Sequence, residues 1–162
     1  MRFVYIFLFV SCYCSTLSGQ KIRAFHVNDI DGNAQSYDNI KGANLTVIDF
    51  WASWCKPCLK AIPKLEALHQ KYKEQGVALL SINVDGPRSI AKVRPLVKSL
   101  GISSTILMDT DKQIDDDLDV YQIPTLLVVS DDNKIVYRHE GYAKGEEKEI
   151  EHVLVEHLSK NQ

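Results

Sequence analysis

The chain has 162 residues, the length of one ordinary globular domain, which argues against a two-domain assembly. Its 19 Lys and Arg stand against 21 Asp and Glu, a formal charge of -2. No basic excess is available to neutralise a nucleic-acid backbone, so nucleic acid is not an expected partner. With 45% hydrophobic and 25% charged residues, the composition excludes both an intrinsically disordered chain and a disulfide-dense miniature scaffold.

The chain opens with a leader. Residues 3–10 are an unbroken apolar run behind Arg2, and Ser15, Thr16, Ser18 and Gly19 follow before charged residues begin. That order predicts a secretory signal peptide over residues 1–19 and a mature domain over residues 20–162. A membrane-spanning helix needs roughly 20 apolar residues, more than this run supplies. The alternatives are a lipid anchor at Cys12, for which Phe9 is a poor upstream match, and an uncleaved leader that tethers the domain to the membrane. Each reading exports the domain to the periplasm or cell envelope. Apart from Cys12 and Cys14 in the leader, Cys55 and Cys58 are the cysteines of the chain, so mature sulfur chemistry is confined to that pair.

Beyond the leader, residues 22–27 alternate weakly and run into Asn28, Asp29, Asp31 and Gly32, which predicts a short hairpin. Residues 45–50 form a β-branched apolar strand broken only by Asp49, the pattern of a strand covered on both faces. From 56 to 75, Leu59, Ile62, Leu65, Leu68 and Tyr72 recur at helical steps, and Gly76 closes the helix. Residues 77–84 read as a second buried strand. Ile90, Val93, Val97 and Leu100 mark a helix stopped by Gly101. A short apolar piece at 106–108 precedes an acidic stretch at 109–119. Residues 126–129 and 134–137 flank Ser130, Asp131, Asp132 and Asn133 as an antiparallel hairpin. A last helix over 146–158 turns Ile150, Val153, Leu154 and Leu158 inward. The order is α/β: a central mixed sheet with helices on both faces.

Chemistry concentrates at Trp54-Cys55-Lys56-Pro57-Cys58, at the junction of the first strong strand and the first strong helix. Free amide N–H groups and the positive end of the helix dipole favour a thiolate at Cys55, and Lys56 adds positive charge. Residues three apart share a helix face, so Cys55 and Cys58 can alternate between dithiol and disulfide. Pro57 fits the first turn, where amides lack intrahelical acceptors. Zinc would need two further ligands, yet there is no second cysteine pair and His26, His69, His139, His152 and His157 are scattered. A purely structural bridge would close too short a loop to restrict the unfolded chain much. The acidic residues Asp109, Asp111, Asp115, Asp116, Asp117 and Asp119 lack the glycine and glutamate of a calcium loop and read as a solvated surface. No metal or other cofactor is implied.

The run Val47-Ile48-Asp49-Phe50-Trp51-Ala52-Ser53-Trp54-Cys55-Lys56-Pro57-Cys58 resembles the active-site segment of the thioredoxin superfamily. Pro63 falls where thioredoxins kink this helix, Ile123-Pro124-Thr125 resembles their cis-proline loop, and Gly141 the glycine after the final strand. The leader, the front hairpin and an insertion before the cis-proline loop resemble the exported TlpA/ResA-like branch. That branch often carries a glutamate near its site, and residues 76–139 contain none, whereas Asp49 matches the buried aspartate of ordinary thioredoxins.

The resemblance implies a thiol-disulfide oxidoreductase that reduces disulfides of exported proteins and is itself served by an upstream electron-donor thiol protein. It implies Cys55 as the attacking thiolate, Cys58 as the resolving thiol and Asp49 as the acceptor of the Cys58 proton. Trp54, Lys56, Pro57, Ile123, Pro124 and Thr125 would meet the partner, the Ile123 backbone pairing with its extended segment. Trp51 is expected to pack in the core. A monomer is expected. Two other classes compete: a peroxiredoxin-like peroxidase, against which stands Ala52 where that family has threonine, and a non-catalytic binding module, which the intact cysteine pair disfavours.

Overall fold

The computed structural model describes residues 19–160. The leader predicted over residues 1–19, with Cys12 and Cys14, lies almost wholly outside the described residues.

The expected front hairpin forms from β1 (His26–Asn28) and β2 (Ala34–Ser36), paired antiparallel. The turn residue Asp29 ties it: Oδ1 accepts the N–H groups of Asp31 and Asn33, each at 2.9 Å. The Asn33 N–H first, then the Gln35 amide donating to Oδ2 at 2.8 Å, favour its ionised form and hold its carboxyl at about 2. A short helix α1 (Tyr37–Ile40) follows, too brief to leave a periodic signature, and Tyr37 is fully buried.

A central sheet runs in the order β5-β4-β3-β6-β7. Its strands are β3 (Leu45–Trp51), β4 (Val77–Asn83), β5 (Thr105–Met108), β6 (Thr125–Ser130) and β7 (Ile135–Glu140). β3, β4 and β5 are parallel; β6 joins β3 antiparallel and β7 joins β6 antiparallel, giving the expected mixed sheet. Between strands stand α2 (Lys56–Tyr72), α3 (Val93–Leu100) and α4 (Gln113–Asp117), and α5 (Glu147–Lys160) ends the described chain. The stretch between Cys58 and Pro124, read as carrying an insertion, holds the rest of α2 and then β4, α3, β5 and α4.

Every residue of β3 is buried, because both faces of the sheet are covered. Alternation sends Ile48 and Phe50, with Leu80, Ile82, Leu127 and Val129, to one core, which also takes Val93 and Ile114. Leu45 and Val47, with Leu79, Leu126 and Val128, go to the other, capped by Leu65 and Leu68 of α2 and Ile150, Leu154 and Leu158 of α5. Each fully buried side chain of this kind contributes about 1.5–3 kcal/mol. The Tyr72 hydroxyl donates to Glu151 Oε1 at 2.7 Å, fastening α2 to α5. Gly76 closes α2 and its short 3₁₀ extension at φ 76°, a left-handed conformation that glycine adopts without strain. Pro63 lies inside α2.

One sequence expectation is corrected. The acidic stretch is not a uniformly solvated surface, because Asp109 and Asp115 are buried. Asp109 caps α4, its Oδ1 accepting the Ile114 N–H at 3.2 Å and its Oδ2 the Asp115 N–H at 2.8 Å. Backbone donors that need an acceptor draw this carboxylate inward.

Candidate active site

β3 delivers the chain to a tight turn, Cys55 N–H donating to Ala52 C=O at 3.0 Å, and α2 starts at the next residue. Cys55 is therefore the N-cap of α2. A disulfide joins it to Cys58, with the Cα atoms 5.3 Å apart, and its sulfur accepts the Cys58 N–H at 3.2 Å. An orphan amide of the first turn thus points at the sulfur expected to carry negative charge on reduction. Cys58 is fully enclosed and Cys55 is 4% exposed, so an incoming group meets Cys55 first. Trp54, 65% exposed, and the exposed Lys56 and Pro57 form the rim. Trp51 is fully buried, as expected of a core residue.

The Ile123–Pro124 peptide bond is cis. Its turn is pinned from both sides: Gly141 N–H donates to Pro124 C=O at 2.8 Å, and the Thr125 hydroxyl donates to Gln122 C=O at 2.7 Å. Thr125, fully buried, pairs with Phe50 of β3, which fixes the turn beside the strand that feeds the cysteines. Ile123 and Trp54 line the same groove, of about 440 Å³, with Tyr121 and Asp115. Tyr121 is 87% exposed.

Asp49 sits at 1% exposure, and its Oδ2 has no hydrogen-bond partner among the described residues. Burial, followed by the negative charge of Glu146, pushes its carboxyl from the ordinary 3.8 up to about 7. A group poised there can hold or release a proton at neutral pH.

The structure thus brings Cys55, Cys58, Trp54, Lys56 and Pro57 together at the start of α2, and Ile123, Pro124 and Thr125 at the turn into β6. Asp49 occupies the interior of β3. Other residues of the site went unread in the sequence. Asp85, fully buried, braces the turn before Cys55 through Ser53; a carboxylate between Val84 and Gly86 looks like any turn residue. Tyr121 had only its place two residues before Ile123 to mark it. Among the described residues no group of three or more His, Cys, Asp or Glu is placed to hold a metal ion.

Residues 18–138 match the AhpC/TSA family. The chain is 32% identical over 122 residues to the thiol-disulfide oxidoreductase ResA of Bacillus subtilis; the match takes in 75% of this chain and 66% of that protein, just under two thirds of its length. A thioredoxin-like protein of Porphyromonas gingivalis, known from its solution structure, superposes with a TM-score of 0.73 at 26% identity, covering 87% of this chain and 94% of that one. The crystal structure of StoA from Bacillus subtilis superposes with a TM-score of 0.66 at 21% identity over 80% of this chain and 95% of its own, a likeness of fold. With its cysteine pair at a strand-to-helix junction beside a cis-proline turn, on a thioredoxin-like fold, the chain belongs to the AhpC/TSA family.

Proposed function

We propose that this protein is a thiol-disulfide oxidoreductase that reduces disulfides of exported partner proteins. The observation that carries the reading is the disulfide pair itself: Cys55 caps α2, bonded to Cys58 one turn on, with Ile123 of the cis Ile123–Pro124 bond on the same groove as Trp54.

In the reduced protein the Cys55 thiolate attacks one sulfur of the partner disulfide. That S–S bond breaks, one partner thiolate leaves, and a mixed disulfide forms. Cys58 gives its proton to Asp49 and attacks the Cys55 sulfur. The mixed bond breaks, the second partner thiolate leaves, and the Cys55–Cys58 disulfide remains. Two electrons have passed to the partner, and an upstream thiol protein returns the pair to its reduced form. The Cys58 thiol is enclosed, so its ionisation is disfavoured and it needs a nearby base. Asp49, held up at about 7, fits that task. The Ile123 backbone and the rim of Trp54, Lys56 and Pro57 receive the partner segment, so recognition is largely of main chain. Thr125, expected from the sequence to meet the partner, is fully buried with its hydroxyl on Gln122 C=O and instead holds the turn.

The leader of residues 1–19 takes the domain to the periplasm or cell envelope, cleaved or as a tether, and the catalytic unit acts as a monomer. Among the described residues no helix is long and apolar enough to cross a membrane.

The test is insulin-disulfide reduction run beside peroxide consumption, with the Cys55→Ser variant as control. Turnover of insulin alone, lost in C55S, is the expected result. Peroxide turnover would favour the peroxidase reading despite Ala52, and inactivity in both arms would leave a binding module.

A further inference from the structure

A second carboxylate reaches the face of the sheet on which Asp49 stands. Asp49 of β3 is in register with Leu126 of β6, and Leu126 with His139 of β7. Opposed residues of antiparallel strands share a face, so Asp49 and His139 stand on one face with a single strand between them, about 10 Å apart. Glu146, entering α5, reaches this row. Its Oε2 lies 3.1 Å from His139 Nε2 and accepts the Ala143 N–H at 2.7 Å, and its side chain is only 8% exposed. A carboxylate so enclosed is held by its partners and keeps its field largely unscreened.

We propose that Glu146, held by His139, is a positioning residue of the redox site: its carboxylate confronts Asp49 across Leu126 and governs how readily Asp49 takes the Cys58 proton. This rests on the reading of Cys55 and Cys58 as the exchanging pair and of Asp49 as their proton acceptor.

The neighbours leave that role to Glu146. β7 contributes Tyr137, stacked on His139 with ring centroids 6.4 Å apart. Burial and the charges of Glu149 and Glu146 push its hydroxyl up to about 12, so it stays neutral. From α2, Lys64 is occupied by Glu147 of α5 at 2.9 Å, and Cys58 is the thiol being served. β4 places the uncharged Ser81 in register with Asp49. Glu146 is the charge that acts on Asp49 after burial itself. Without it, a like charge is removed, the Asp49 carboxylate is less disfavoured, and the group becomes a weaker base.

The experiment follows the side-chain carboxyl carbons by NMR across pH in the oxidised protein, without any partner. In Glu146→Gln the Asp49 midpoint is expected to fall by roughly one pH unit, while Glu146→Asp, which keeps the charge, stays near the unsubstituted value. In the unsubstituted protein the Glu146 resonance is expected to show a second inflection at the Asp49 midpoint, since coupled groups report each other's titration. This arm needs no variant to fold. An unmoved Asp49 midpoint in a folded E146Q, or a Glu146 curve without that inflection, overturns the proposal. Disulfide exchange is not read in these measurements, so a failed insulin assay would sink the proposed function while leaving the Asp49–Glu146 coupling to be judged on its own.

Discussion

Asp85 grips Ser53 twice: its Oδ2 accepts the Ser53 N–H at 2.6 Å and its Oδ1 the Ser53 hydroxyl at 2.8 Å. Asn83 completes the cradle, its Nδ2 donating to Asp85 Oδ2 at 2.9 Å and its Oδ1 accepting the Asp85 N–H at 3.1 Å. The end of β4 thereby holds the turn that presents Cys55. Asp85→Ala removes the acceptor and strands the donors of part-buried Ser53 and buried Asn83, which is expected to cost about 2–4 kcal/mol in denaturant unfolding. It is also expected to slow disulfide exchange in the fraction that remains folded. Asp85→Asn, which retains one acceptor oxygen, recovers part of both. Full stability in D85A would show that the turn holds itself.

Gly42 marks a close approach of backbone. A Cβ there would lie 1.9 Å from Leu45 O and 2.6 Å from Gly76 O, at the point where β3 and β4 begin side by side. Neither carbonyl can retreat without disturbing the parallel ladder. Gly42→Ala is expected to lose more than about 3 kcal/mol, or to fail to fold. Equilibrium unfolding, or soluble yield when no folded protein survives, provides the measurement.

Trp54 and Tyr121 are the two most exposed aromatic side chains among the described residues, and they line one groove with Ile123. Exposed aromatics that line a groove supply contact area at little entropic cost. Tyr121→Ala is expected to lower kcat/KM for a protein disulfide roughly tenfold, mostly through KM. A small soluble disulfide that cannot fill the groove should lose much less. Equal losses for both substrates would remove Tyr121 from recognition.

How far the sequence foretold this structure depends on the range of the signal. Periodicity located β3, β4 and α2 to within a few residues, because burial on both faces or along one stripe writes itself into consecutive positions. The Cys55–Cys58 pair was legible because its chemistry is local: a cap, a first turn and a spacing of three. Tyr37 escaped, since a four-residue helix leaves no period and its burial depends on packing against Phe25. Asp109 was misread because, in sequence, a buried helix cap looks like any other aspartate. Glu146 and His139 could not be joined to Asp49 from sequence. His139 comes onto the face of Asp49 only through the registers β3 to β6 and β6 to β7 at once, Glu146 only through its contact with His139, and register is a property of the assembled sheet.

Asp49 gives the last prediction, and its sign can be worked out. Its folded value of about 7 lies above the ordinary 3.8, so the unfolded chain releases this proton more readily. The fold therefore loses stability as pH climbs from near the ordinary value through about 7, and below that window the site has no effect. Asp49→Asn removes the charge and keeps the shape. The oxidised variant is expected to match the unsubstituted protein near pH 3.8 and to exceed it by up to about 4 kcal/mol well above neutrality. Urea unfolding at several pH values measures the difference. On the proposed mechanism reduced D49N lacks the acceptor for the Cys58 proton, so resolution of the mixed disulfide is expected to slow roughly 10²-fold, with loss of the inflection near 7 in its pH profile. The two effects have opposite signs, a more stable fold and a slower reaction, which a general disturbance of packing would not produce. Stability curves that superpose at every pH would show Asp49 titrating as an ordinary carboxylate and would remove it from the mechanism.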